Sequence, residues 1–450
     1  MKKAGSARLF SSWQTVEPQG LLVGLKHLAP RRLIIAVSGG LDSQVLLHLT
    51  WRLASGGGLP CPVEVWHVNH GLQAGANGWQ AQVARLAAGY GFIYRAFRVA
   101  VLPTANVEAG ARHARYAAFS AHANSGDVLL LGQHADDQSE TLMLRLIRGS
   151  GPTGLAAMAE VRASDGVYWV RPMLHIERRQ LEEYACQWQL EPIEDPSNAS
   201  EVYDRNYLRH QVMPRLTQRW PSLNARLRRS IEACDEASSL LQELAELDMR
   251  QCDWLADDLS LALPAWAELS QSRQFNLLRC WFLTRGALPP PVSVKAKLSQ
   301  FVEASDDRQP QLSWEGWQLR RYRQRLYFVP EWLENLSLPQ SCVLQTRTPL
   351  PYGELIVSDV KGRGVRADPE ACWEVRFRQG GESWQPSGAT HKVSLKHYMQ
   401  GRGIPPWERA LIPLLYCDNE LVAVATHPAQ GWVAQADECG WWLTWQRELT

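Results

Sequence analysis

An apolar run from Leu33 to Val37 stops at Ser38-Gly39-Gly40-Leu41-Asp42-Ser43, and Val45, Leu46, Leu47 and Leu49 follow with amphipathic helical spacing. Few orders of residues constrain a fold as tightly as a buried strand, a two-glycine turn and a helix. Glycines at such a turn let main-chain N–H groups converge on one point, and the first turn of the helix adds its positive dipole end. The loop is suited to an anion, most naturally phosphate. The chain lacks the GxxxxGK[ST] lysine of a kinase-type loop and has no G-x-G-x-x-G after this strand, so both of those nucleotide folds are set aside.

The same alternation continues downstream. Apolar runs at 33–37, 63–68, 92–97 and 128–131 predict strands, and the periodicity at 44–54, 78–89, 108–122 and 137–148 predicts helices. The expected class is α/β: a doubly wound, mostly parallel, Rossmann-like sheet with right-handed crossovers, binding ligands at the carboxyl ends of its strands. Residues 176–190 add a helix before Pro192 and Pro196. From about 222 the pattern turns to long helical stretches, with a helix at 293–304 and strand-like pieces at Trp317–Arg321 and Arg325–Val329. Region 330–349, rich in Pro, Ser and Gln, reads as a linker. The last hundred residues are strand-like, with helical character at 394–401 and 405–411. Three domains are expected: an α/β catalytic domain over 1–221, a helical middle domain over 222–335 and a small α+β domain over 345–450.

Composition narrows the class. With 45% hydrophobic and 21% charged residues, the 450-residue chain is an ordinary globular protein. It has no apolar run of membrane-spanning length, and its basic start, Met1 to Arg8, is followed by no signal-type core, so a cytoplasmic protein without membrane partners is expected. The nine cysteines are scattered and form no C-x-x-C, which argues against a zinc or iron–sulfur site. Net charge is only +1, yet 201–230 holds seven arginines (205, 209, 215, 219, 226, 228 and 229) against Glu201 and Asp204. Such a strip serves a phosphate backbone or is a solvated helix face.

Four further constellations carry chemistry. His67-Val68-Asn69-His70-Gly71-Leu72 ends the second strand, beside the loop, where its polar residues can meet a nucleoside or, less specifically, a metal. Leu131-Gly132-Gln133-His134-Ala135-Asp136-Asp137-Gln138-Ser139-Glu140-Thr141 ends a strand and opens a helix. There Asp136 and Asp137 favour the helix dipole, and with Glu140 they cluster on one face. Carboxylates so placed can hold Mg²⁺, bind a cationic amine or take a proton from an attacking amine. Glu108, Arg112 and Arg115 share one helical side, as surface pairs or as neutralisers of departing phosphate. Asp195-Pro196-Ser197-Asn198 leads to Tyr203-Asp204-Arg205-Asn206-Tyr207-Leu208-Arg209, where interleaved Arg and Tyr suit RNA.

Together these motifs, with Arg148 to Leu155 and Arg171 to Leu174, resemble the tRNA(Ile)-lysidine synthetase family of PP-loop ATP pyrophosphatases over nearly all of 30–221. Val375 to Arg378, Lys392 to Lys396, Ile404 to Trp407 and Pro413 to Leu415 resemble its C-terminal tRNA-contacting domain. The resemblance implies a ligase that uses ATP and Mg²⁺ to adenylate the wobble cytidine of a CAU-anticodon isoleucine tRNA, releasing pyrophosphate. Free L-lysine then displaces AMP. It implies that Ser38, Gly39, Gly40, Leu41, Asp42, Ser43, His67 and His134 bind the nucleotide. Asp42, Asp136, Asp137, Glu140 and Arg112 would carry catalysis, Asp42 and Asp137 the metal, and Arg115, Arg205, Asn206 and Arg209 the tRNA. It leaves oligomeric state open, a homodimer among the options. Two rivals remain: a tRNA thiolase, which would need cysteines near these motifs, and a catalytically silent nucleotide- and RNA-binding protein.

Overall fold

Leu33, Ile34 and Ile35 have no exposed surface, so the middle of the strand they form is continuously apolar instead of alternating. This strand, β1 (Arg32–Ala36), lies inside a six-stranded sheet with β2 (Val63–Asn69), β3 (Ile93–Arg98), β4 (Asp127–Leu130), β5 (Val161–Ser164) and β6 (Val167–Val170). The computed structural model describes residues 9–447 apart from 11, 12, 14, 60, 72, 74, 101–106, 256–258, 305–309, 369 and 426. Leu72 and the side chains of Glu108, Ser197 and Asn198, named above, lie outside the described residues. The chain divides into two compact units, 1–241 and 242–450.

In the first unit the strand order is β3-β2-β1-β4-β6-β5. Pairing is parallel from β3 through β6, and only the β5–β6 hairpin is antiparallel. Its turn, Asp165-Gly166, has φ of 52° and 78°, the doubly positive geometry that a tight hairpin needs. Helices α1 (Pro18–Leu28), α2 (Leu41–Ser55), α3 (Ala76–Gly89), α4 (Val107–His122) and α5 (Ala135–Ile147) run between or before the strands. Leu33 and Ile35 pack with Val45, Leu46 and Leu49 of α2 on one face. Ile34 packs with Trp66, Phe119 and Trp169 on the other. The chain leaves β1 for β2 on one side and later returns to β4 on the other, so β1 sits where the winding reverses.

Beyond the sheet come α6 (Pro152–Leu155), α7 (Arg178–Gln187), α8 (Asp204–Tyr207), α9 (Met213–Arg219) and the start of the long α10 (Leu223–Gln251). A π-turn, Leu208–Val212, joins α8 to α9. Pro214, which lacks an N–H, opens α9 directly after it.

Within 222–335, expected to be mainly helical, the strand-like pieces at Trp317–Arg321 and Arg325–Val329 form as strands. Strand Ser260–Ala262, which the sequence pattern does not isolate, joins Gln311–Trp314, Trp317–Tyr322 and Arg325–Pro330 in an antiparallel sheet. Its core packs Leu261, Leu326 and Phe328 against Trp266, Trp281 and Phe282. Three antiparallel sheets, of five, four and two strands, follow, and strands Ser341–Val343 and Arg347–Leu350 occupy part of the expected linker. The helix Leu395–Gly401 forms as expected, whereas 405–411 is a series of turns.

At the amino ends of the strands, Arg32 is bonded to both Asp127 oxygens and to Glu64 Oε1 at 3.1 Å. Asp127 is only 3% exposed, so removing it strands a half-buried guanidinium. Asp127→Ala is expected to lower stability by about 3 kcal/mol in urea unfolding, in the range for breaking a buried ion pair.

Candidate active site at the carboxyl ends of the central strands

Gly39 adopts φ +96°, a conformation that side-chain-bearing residues rarely reach, and a Cβ on it would meet Ile193 Cδ1 at 2.3 Å. The loop is locked by its own polar atoms. Gly39 N–H donates to Ser43 Oγ at 3.1 Å, and Ser43 Oγ donates to Gly40 O at 2.9 Å. Gln44 Nε2 donates to Gly39 O at 2.9 Å and to Glu191 O at 2.8 Å, tying the loop to the segment after α7. Gly40 caps α2, and Leu41, Asp42 and Ser43 form its first turn. The result is a rigid turn at a helix N-terminus, the arrangement that holds phosphate.

One flank of the loop comes from β2 and α4. His67, buried at the end of β2, bonds through Nδ1 to Val37 O at 2.8 Å, directly before the loop. Burial lowers its pKa, so the ring is neutral and its Nδ1–H is the donor. His70 is likewise held down, to about 4, by burial and by Arg115, whose Nη2 lies 3.4 Å from His70 Nε2. Arg112 lies over the Tyr116 ring at 5.1 Å and reaches its hydroxyl at 3.2 Å, and Arg171 reaches that hydroxyl from the other direction at 3.2 Å.

The other flank comes from β4 and α5. A Cβ at position 132 would lie 3.2 Å from Asp42 C and Ser43 N, so Gly132 lets the end of β4 press against the loop. Two residues on, His134 caps α5 and is 1% exposed. Its Nε2 stands 3.7 Å from Asp42 Oδ1 and 3.5 Å from Asp137 Oδ2, and its Nδ1 3.5 Å from Asp136 Oδ2. Burial alone would neutralise this ring, but Asp137, Asp136 and Asp42 together outweigh it and raise its pKa. His134, expected to bind the nucleotide, is thus a buried ring beside three carboxylates that favour its protonated form.

Asp137 and Glu140 are 8% and 3% exposed. Arg205 donates to Asp137 Oδ1 at 2.9 Å and Glu140 Oε2 at 2.7 Å, and Arg209 to the same two residues at 3.0 Å and 2.6 Å. His134 N–H adds a bond to Asp137 Oδ2 at 3.1 Å. Burial pushes the Asp137 pKa up, yet His134, Arg205 and Arg209 overcome it and leave the pKa lowered. The sequence reading assigned Arg205 and Arg209 to tRNA. Here their guanidinium groups are committed to the site's own carboxylates, because α8 and the π-turn after it carry them over α5. Asn206 is committed too, through Nδ2 to Ser200 O at 2.8 Å. Arg215, Arg219, Arg226 and Arg229 remain exposed, beside Trp220 at 46% exposure.

Asn224 and Arg178 were not singled out from the sequence. Asn224 Nδ2 donates to Asp136 Oδ1 at 3.1 Å, and Asn224 Oδ1 accepts from Ser139 Oγ at 2.9 Å. The Arg178 main-chain N–H donates to Asp136 Oδ2 at 2.8 Å. No local pattern marks either residue, since both act from elements distant in sequence. Burial opposes ionisation of Asp136, but His134, the Arg178 N–H and Asn224 prevail and hold its pKa at about 2.

Asp42 is the exception: burial raises its pKa, and its Oδ1 is buried with no hydrogen-bond partner. Among the described residues no group of three His, Cys, Asp or Glu side chains could hold a metal unaided. The donor set therefore fits a Mg²⁺ that keeps water and phosphate ligands and takes one or two carboxylates.

Comparison with known proteins places these motifs. A family model described as the PP-loop domain matches residues 17–216, the TilS substrate binding domain matches 261–327, and the TilS substrate C-terminal domain matches 373–445. A tRNA(Ile)-lysidine synthase of Pseudomonas fluorescens is 40% identical over 446 residues, covering 95% of this chain and 96% of its own. Those of Photobacterium profundum and Pseudomonas aeruginosa are each 38% identical, covering 90% and 94% of this chain and 93% and 96% of their own.

Because the depressed pKa of Asp136 favours the folded state, its stabilisation is complete above the ordinary 3.8 and is lost as pH falls through about 2. Asp136→Asn should be less stable than the parent by a constant margin between pH about 5 and about 8, shrinking below about 4, when unfolding free energy is measured against pH.

Proposed function

Since the chain belongs to the tRNA(Ile)-lysidine synthase family of PP-loop ligases, we propose that it joins free L-lysine to ring carbon 2 of the wobble cytidine of CAU-anticodon isoleucine tRNA, through an adenylated tRNA. The observation that carries the reading is the junction of two devices at one strand end: a rigid anion loop at the N-terminus of α2 and a cluster of ionised carboxylates at the start of α5.

In the first step the C2 oxygen of the cytidine attacks the α-phosphorus of ATP, and pyrophosphate leaves. Main-chain N–H groups of Ser38–Ser43 hold the phosphates where negative charge develops. Asp42, through its partnerless oxygen, and Asp137 would hold Mg²⁺, which would supply further charge neutralisation at the phosphates. Arg112 and Arg115, on the opposite flank, supply positive charge towards the departing pyrophosphate. In the second step the ε-amine of lysine attacks carbon 2 and AMP leaves with the bonding pair. An ordinary lysine amine titrates near ~10.4, so it arrives as ammonium and must lose a proton before attack. The carboxylates of Asp136, Asp137 and Glu140 attract the ammonium, and a carboxylate of this cluster, whose oxygens all accept hydrogen bonds in the resting protein, takes the proton. Arg205 and Arg209 hold the carboxylates of Asp137 and Glu140 in place, acting as positioning residues.

Lysine has a compartment of its own behind α5. A cavity of ≈ 270 Å³ is lined by Ala135 and Ser139 of α5, by Glu160 and Glu177, and by the first turns of α10 from Asn224 onwards. It is walled from the carboxylates by the Asn224–Asp136 hydrogen bond. The exposed arginines 215, 219, 226 and 229, with Trp220, form the surface for the tRNA backbone within this part of the chain. We assign the middle and C-terminal segments, 222–335 and 345–450, to further tRNA contacts. A protein acting on tRNA with ATP and lysine works in the cytoplasm.

The test is incubation with the CAU-anticodon tRNA transcript, ATP, Mg²⁺ and labelled lysine. ATP-dependent label on that tRNA is expected; sulfur incorporation or no label refutes the reading. Asp137→Asn should lower turnover by at least about 100-fold, a typical scale for losing an acid–base group, while the dissociation constant for tRNA stays near that of the parent.

A further inference from the structure

The cavity behind α5 is lined by polar groups of two kinds. Most are committed. Gln138 is bonded at both ends to the main chain of Met158, at 2.8 Å each, and Glu160 accepts from Phe10 N at 2.7 Å and lies 3.0 Å from His175 Nε2. Arg228 and Glu232 are different. Both line the cavity from α10, and neither has a hydrogen-bond or ion-pair partner among the described residues. A guanidinium and a carboxylate four residues apart on a helix stand on one face, about 6 Å apart along the axis.

An α-amino acid presents this pair in complement, a carboxylate and an ammonium on one carbon. We propose that Arg228 and Glu232 read the amino-acid head of the lysine substrate, Arg228 taking the α-carboxylate and Glu232 the α-ammonium. The inference rests on the reading above and goes further, by naming the residues that select a free amino acid over other primary amines. Asn224 lies one helical turn before Arg228, again about 6 Å along the axis, a spacing that a four-methylene side chain spans. With its head on Arg228 and Glu232, lysine therefore points its ε-amine at the Asn224–Asp136 wall, behind which the ionised carboxylates of α5 stand. Bidentate guanidinium–carboxylate pairing gives Arg228 the directional part of the recognition, and the shorter reach of Glu232 fixes the hand of the α-carbon.

The experiment compares three amines with the full chain, CAU-anticodon tRNA, ATP and Mg²⁺: lysine, cadaverine (lysine without its α-carboxylate) and 6-aminohexanoate (lysine without its α-amine). The parent should prefer lysine over both. Arg228→Ala should cut the lysine-over-cadaverine ratio of kcat/KM by about 10- to 100-fold, the scale of one charged hydrogen-bonded pair, and Glu232→Gln should cut the lysine-over-6-aminohexanoate ratio similarly. Ratios within one variant are indifferent to partial misfolding. Unchanged ratios, or both ratios falling equally in both variants, overturn the proposal. A parent enzyme that adenylates the tRNA yet shows no preference for lysine over cadaverine also overturns it. A parent that forms no adenylated tRNA at all sinks the underlying reading.

Discussion

Two carboxylates can be buried in the opening turns of α5 only because two guanidinium groups are brought over them. Asp137 and Glu140 are almost wholly removed from water, and an unpaired buried carboxylate would take up a proton instead of staying ionised. Arg205 and Arg209 each span both acids, so the four side chains form one closed ionic lattice. With that lattice in place, His134 can carry a buried positive charge and Asp136 can stay ionised beside it. The arrangement specifies a structure more than it stabilises one, since replacing such a network by apolar residues is often neutral or better. Its value is chemical: charge is held ready in a dry place.

The loop and the lattice work through opposite devices. The loop offers partial positive charge from main-chain groups in a conformation that only glycine reaches easily, and it needs no side-chain charge. The lattice offers full charges whose sign and protonation are set by neighbours. Gly132 joins them physically, since its missing Cβ allows the β4 end to approach the Asp42–Ser43 backbone. Asp42 belongs to both, standing in the first turn of α2 and facing His134, and its Oδ1 is buried without a hydrogen-bond partner. An atom left in that condition costs free energy in the resting protein and is best explained by the ligand that will engage it.

Much of this was legible without coordinates, and the reasons differ by residue. Ser38–Ser43 could be read because a strand, a glycine turn and a helix are consecutive, so their geometry is local. Asp136, Asp137 and Glu140 could be read because helical spacing places them on one side. The partners of Arg205 and Arg209 could not, because nothing in a run of arginines distinguishes a guanidinium facing RNA from one facing a carboxylate about seventy residues earlier. Asn224 escaped notice for the same reason. Turns occupy 405–411, where apolar spacing alone predicts a helix.

By itself the sequence determined the parallel α/β class, the position of the anion loop and the acidic helix start, because each follows from contiguous residues whose periodicity or φ requirement is intrinsic. The tertiary structure alone decided which cations neutralise which acids, that carboxylates raise the His134 pKa while burial lowers that of His67, and that Asp42 keeps a buried oxygen without a hydrogen-bond partner. Those properties belong to burial and to distance between remote segments, and neither exists until the chain has closed on itself.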